Sequence, residues 1–232
     1  MRTAIDIVER KRARWSSVRE EANRKRDEWM PDMRSRSIGD FLQGVASSSA
    51  TPGGGSVAAL SGAIAADLGC MVCRLAMNKK PSDDLANLLQ CFTSLEGNFL
   101  DLAERDELAF SAVMDAYRID RADDRRPAMI AKALLDATNV PQRVAKKGIE
   151  LLEHLCALVP LGSKQSVSDV GVAAHLAEAS VKSALLNVRI NLAYMHDEVE
   201  IKRIEAVANE LEKMCFDVSA RAISFVRART TQ

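Results

Sequence analysis

Seven of the twelve positions from 58 to 69 are alanine or glycine: Ala58, Ala59, Gly62, Ala63, Ala65, Ala66 and Gly69. A helix made of such residues has little side-chain radius, so its neighbours can approach it backbone to backbone. The run predicts an innermost helix of a bundle, which is a demand on the whole chain: several other helices must exist to surround it. It begins directly behind Thr51-Pro52-Gly53-Gly54-Gly55-Ser56, which follows three serines and breaks any preceding helix.

The remaining sequence supplies those helices. Aromatic residues are only 4% of the chain, against 47% hydrophobic and 28% charged, and alanine, leucine, lysine, arginine and glutamate recur at helical spacing. No stretch shows strand-like alternation, and there is no internal repeat. The fold class expected is all-α, a bundle of long antiparallel helices with an N-terminal helical extension. Helices are predicted over residues 37–46, from the glycine run to about 77, then over 81–117, 127–159, 167–196 and 198–229. Pro141 falls inside the fourth, where it removes a donor and crowds the preceding turn, so a kink or break is expected near Asn139. Ser166-Val167-Ser168-Asp169 reads as a capping box opening the fifth.

One domain with an N-terminal extension is expected. Residues 1–36 hold 11 Lys/Arg and 7 Asp/Glu, a surplus of four positive charges that leaves the rest of a chain with 32 Lys/Arg and 32 Asp/Glu acidic by four. Within the extension a helix is predicted over residues 4–29, with Val8, Trp15, Ala22 and Trp29 on one stripe that would pack on its own body, on a sister subunit, or on a membrane or partner groove. Residues 37–232 form the main domain. Zero net charge gives no reason to expect nucleic acid or a membrane surface as partner. Residues 57–77 are long enough to span a bilayer but carry Asp67 and Arg74, which favours a buried helix. Five scattered cysteines without an apolar leader at residues 1–14 point to a reducing, cytoplasmic location.

Few residues invite chemistry. A glycine run before a helix offers unpaired N–H groups to an anion or carbonyl oxygen, or it is simply a tight turn; it lacks the lysine and spacing of a P-loop. Asn187 and Asn191 lie one turn apart in an otherwise apolar helix, placed either to bond neighbouring helices or to recognise a heterocycle. Asp106, one turn before Phe110 and two before Val113 and Met114, would gain a raised pKa if it faces inward, as general acid/base work requires. Asp169 is explained by the capping box. Asp67 must be solvated, paired or in a cavity. Cys70 and Cys73 read as buried thiols, and His154, His175 and His196 fit no metal-ligand spacing, so no metal is expected.

The stretch from Thr51 through Gly53-Gly54-Gly55-Ser56 to Ala63, with Met71-Val72, resembles the opening signature of the tetrahydrofolate cyclodeaminase/cyclohydrolase family. Three more stretches agree in order: DELAFSAVMDAY at 106–117, ATNVP at 137–141, and SDVGVAA at 168–174 continuing to NVRINL at 187–192. The resemblance covers residues 37–226. It implies an all-helical homodimer and, with no cofactor, a tetrahydrofolate derivative carrying a one-carbon unit as substrate. It implies opening 5,10-methenyltetrahydrofolate to 10-formyltetrahydrofolate with water, which is preferred, with two alternatives: closing 5-formimidoyltetrahydrofolate with loss of ammonia, or a diverged member of the family with another substrate or a binding role. Carried over residue by residue, Asp106 and Asp169 are the catalytic candidates. Pro52, Gly53, Gly54, Gly55, Ser56, Ser168, Asn187 and Asn191 are those for substrate binding.

Overall fold

The structure is a computed structural model and describes residues 32–231. The helix expected over residues 4–29 lies outside the described residues. The chain divides into two compact units, Met1–Phe41 and Leu42–Gln232. In the first, the described residues form a turn at 33–35 and a cap in which Ser37 Oγ accepts from the Asp40 N–H at 3.0 Å and donates to the Asp40 carboxylate at 2.6 Å. That reciprocal pair starts α1 (Ile38–Val45), which ends in the second unit.

Five long helices follow: α2 (Gly54–Lys79), α3 (Asp83–Arg118), α4 (Arg126–Leu158), α5 (Val167–Leu192) and α6 (Glu198–Thr230). There is no strand among the described residues, and the fold is all-α. Consecutive long helices pack on one another through short connections, the geometry of antiparallel neighbours. Local chemistry sets their starts. Ser82 accepts from the Leu85 N–H at 3.3 Å to cap α3, Asp197 accepts from Val199 and Glu200 at 3.0 and 3.1 Å to cap α6, and Pro127 lies in the first turn of α4, where its missing N–H costs nothing.

The small-residue helix α2 packs against α3, α4 and α5. Its glycines act as seats for phenylalanine rings of α3: a Cβ on Gly62 would stand 2.6 Å from Phe99, and one on Gly69 would stand 2.8 Å from Phe92. Both rings are fully buried. Ser180 of α5 donates to the Ala58 carbonyl at 2.6 Å, which holds α5 against the same helix. One face of α2 is left uncovered, however. Val57, Ile64, Met71 and Leu75 are 37–48% exposed, and Asp67 is exposed beside them, so the helix is not enclosed on every side and its carboxylate is solvated. By length and composition alone α2 is apolar enough to cross a membrane, but most of its apolar window is buried against its neighbours.

Two local expectations are corrected. Of the kink or break expected near Asn139, the break is absent: α4 continues through Pro141, itself buried. The capping box at α5 does not form either. Ser166 makes no side-chain cap, since its hydroxyl bonds Ser163 at 2.9 Å, and Asp169 remains as an acidic residue in the first turn, where it complements the helix dipole. The five cysteines are free, and burial pushes the thiols of Cys73 and Cys215 up to about 12 and about 11, which favours the protonated form of both.

Candidate active site

The N-terminus of α2 lacks a side-chain cap of its own, because Gly53 occupies the N-cap position. A carboxyl group from α3 meets that first turn: Asp106 accepts a hydrogen bond from the hydroxyl of Ser56 at 3.1 Å. Gly55 makes this possible, since a Cβ there would collide with the Asp106 carboxyl group. No glycine among the described residues has a positive φ, so Gly55 serves clearance and not an unusual backbone conformation.

Asp106 is half-buried, and desolvation raises its pKa, with the charge of Glu107 adding to the rise and the Ser56 bonds opposing it. The Ser56 hydroxyl also lies 3.2 Å from the Ala103 carbonyl. It has one proton, so it donates either to Asp106, favouring the carboxylate, or to Ala103, leaving its oxygen free to accept from a protonated Asp106. This small switch accommodates both protonation states, which is what a group that takes up and returns a proton needs.

Asp106 borders a cavity of about 490 Å³, the size of a heterocyclic ligand site. Gly53, Gly54, Gly55 and Thr51 form one edge. Phe110, Met114 and Tyr117 continue down α3 from Asp106, Leu134 and Ala137 face it from α4, and Asn187, Ile190, Asn191 and Tyr194 close it from the end of α5 and just beyond. A second hollow of about 480 Å³ shares Tyr117, Leu134 and Tyr194 with the first and includes Arg126 and Lys132.

Both asparagines are oriented by backbone. Asn187 Nδ2 donates to the Ser183 carbonyl at 2.9 Å and Asn191 Nδ2 to the Ala137 carbonyl at 3.1 Å. Reversing either amide would set two oxygens against each other, so the Nδ2 groups are committed and the Oδ1 atoms remain as acceptors. A wall with two fixed acceptors and a carboxyl suits a ligand edge rich in N–H donors.

The structure thus brings together Gly53, Gly54, Gly55, Ser56, Asp106, Asn187 and Asn191. It does not bring Pro52, Ser168 or Asp169 to the cavity. Pro52 lies against Gly44, whose Cβ would stand 3.0 Å from the proline ring. Ser168 and Asp169 occupy the first turn of α5, about 27 Å along the axis from Asn187 by the 1.5 Å rise per residue, so a single chain does not unite them with the asparagines in one polar wall. The sequence reading missed Tyr117, Leu134, Ala137, Ile190 and Tyr194 as cavity residues. For α3 and α5 the signal was available: Asp106, Phe110, Met114 and Tyr117 share a face, as do Asn187, Ile190, Asn191 and Tyr194. Among the described residues no three His, Cys, Asp or Glu side chains converge as metal ligands.

An all-helical bundle in which a carboxyl of raised pKa meets the first turn of a glycine-led helix beside two oriented amides is the class of arrangement suited to moving a proton next to a bound heterocycle. Comparison with known proteins narrows the class. Residues 37–210 match the profile of the formiminotransferase-cyclodeaminase family. A methenyltetrahydrofolate cyclohydrolase of Methylorubrum extorquens is 38% identical over 188 residues, covering 75% of this chain and 89% of that protein. A formimidoyltransferase-cyclodeaminase of Gallus gallus is 32% identical over 169 residues, which span 69% of this chain and 31% of the longer relative. The crystal structure of formiminotetrahydrofolate cyclodeaminase from Thermotoga maritima superposes with a TM-score of 0.77 at 29% identity, covering 84% of this chain and 98% of that one. The chain belongs to the formiminotransferase-cyclodeaminase family.

Proposed function

We propose that this protein is a one-carbon folate enzyme, a cyclohydrolase that opens 5,10-methenyltetrahydrofolate with water to give 10-formyltetrahydrofolate. The observation that carries the reading is Asp106: a single carboxyl with a raised pKa and a hydroxyl partner that serves both its protonation states, at the edge of a heterocycle-sized cavity. Water adds to the carbon between N5 and N10 as the Asp106 carboxylate accepts its proton. The same group then returns that proton to N5 as the carbon–N5 bond breaks, and the hydroxyl on the carbon loses its own proton to water, leaving the formyl group on N10 and releasing one proton overall. The ring's own positive charge makes the carbon electrophilic, so the chemistry calls for no metal or redox cofactor.

The glycine edge and the Oδ1 atoms of Asn187 and Asn191 hold the pterin, whose amino and ring N–H groups are donors, while Phe110, Met114, Leu134 and Ile190 cover its faces. The adjoining hollow gives length for the aminobenzoyl portion. Cyclohydrolysis is preferred because the Methylorubrum cyclohydrolase is matched over 89% of its length. The second reading, ring closure of 5-formimidoyltetrahydrofolate with loss of ammonia, is favoured by the likeness to the Thermotoga cyclodeaminase. It uses the same tetrahedral carbon, with Asp106 giving a proton to the departing nitrogen. Following the methenyl absorbance separates them: decay above the buffer rate supports the cyclohydrolase, whereas growth from formimidoyltetrahydrofolate with ammonia release, and no decay, supports the cyclodeaminase. The active form proposed is a homodimer, a reading supported by the uncovered apolar stripe of α2, and the location proposed is the cytoplasm.

A further inference from the structure

In an uninterrupted α-helix the carbonyl of residue 137 accepts from the N–H of residue 141. Here residue 141 is proline and has no N–H, yet α4 continues through it, so the Ala137 carbonyl is without its ordinary helical donor. The donor it does receive comes from another helix: Asn191 Nδ2 at 3.1 Å. That bond fixes which atom Asn191 turns toward the cavity, and Ala137 itself lines the same cavity. A proline that interrupts a helix without ending it has no evident benefit to α4 alone. Its consequence for the neighbouring asparagine is specific.

We propose that Pro141 is a positioning residue for substrate binding: by leaving the Ala137 carbonyl without its helical donor, it reserves that oxygen for Asn191 and holds the Asn191 Oδ1 toward the pterin. The proposal rests on the folate reading of the cavity. An alanine at 141 restores the N–H, which competes for the Ala137 oxygen from within the helix. Asn191 then turns more freely, and its Oδ1 loses its fixed direction.

The test is a double-mutant cycle on the full chain, read as KM and kcat for methenyltetrahydrofolate and as thermal melting. Turnover by the unaltered protein establishes the folate reading first and separately. Pro141→Ala should melt at the same or a higher temperature, because an interior proline is gone, while KM rises about three- to tenfold, the equivalent of one hydrogen bond, with kcat within about twofold. Asn191→Ala should raise KM by at least as much, and adding Pro141→Ala to it should raise KM no further. Pro141→Gly restores the same N–H and should repeat the KM shift even if the helix is less stable. Effects of Pro141→Ala and Asn191→Ala that simply add, or an unchanged KM in folded Pro141→Ala, would overturn the proposal. So would failure of both the alanine and the glycine variants to fold, since Pro141 would then serve the fold.

Discussion

At the scale of single residues, the chemistry concentrates on the contact between Ser56 and Asp106. The raised pKa has a definite sign for stability. The contribution is fully present below the unfolded carboxyl pKa of about 3.9, where both states are protonated, and is lost as pH rises through the folded value, because burial disfavours the carboxylate. For catalysis by the carboxylate the sign is opposite: kcat/KM rises with pH through the same folded pKa. Ser56→Ala removes a hydrogen bond that stabilises the carboxylate, so the acid limb of kcat/KM should move to higher pH; a limb that stays or moves down would remove Ser56 from this role. Asp106 was legible in the sequence from its spacing to Phe110 and Met114. What the glycines do was not, since clearance for the Asp106 carboxyl depends on which helix crosses at residue 55.

At the scale of elements, α2 is shaped by what its glycines admit. Gly62 seats Phe99 and lies about 12 Å along the axis from Gly54 at the cavity edge. Gly62→Ala should therefore be a packing lesion, destabilising by roughly 1–3 kcal/mol and lowering the melting temperature by roughly 2–4 °C for each kcal/mol, with KM unaltered. Differential scanning calorimetry with steady-state kinetics checks both; a large KM change without a melting shift would contradict it. The helices themselves were readable from composition and periodicity, and so was the close packing of the small-residue run on its neighbours, though not the face of α2 that is left uncovered. The failures came where one contact, local or tertiary, displaced the expected one. Ser166 bonds Ser163 instead of capping α5, and α4 passes through Pro141 because surrounding helices hold it.

At the scale of the molecule, the sequence carried the fold class and the family, because four short stretches in order are far more specific than any one. It did not carry the gathering of the site, and so Ser168 and Asp169 were grouped with asparagines that stand at the other end of the same helix. The uncovered stripe of α2 belongs to this scale too. Light scattering should give twice the 25.4 kDa of one chain, and Ile64→Glu, placing a charge in the stripe, should shift the population to monomer. A monomeric parent protein would contradict the dimer.

The proposed reaction is tested most directly by the loss of methenyltetrahydrofolate absorbance with the parent protein and with Asp106→Asn. The parent should accelerate decay well above the buffer rate. Asp106→Asn keeps the shape and an acceptor for Ser56 but cannot exchange the proton, so it should lose about 10²- to 10⁴-fold in kcat while melting no lower at neutral pH. Undiminished turnover by Asp106→Asn, or no acceleration by the parent protein, would contradict the assignment.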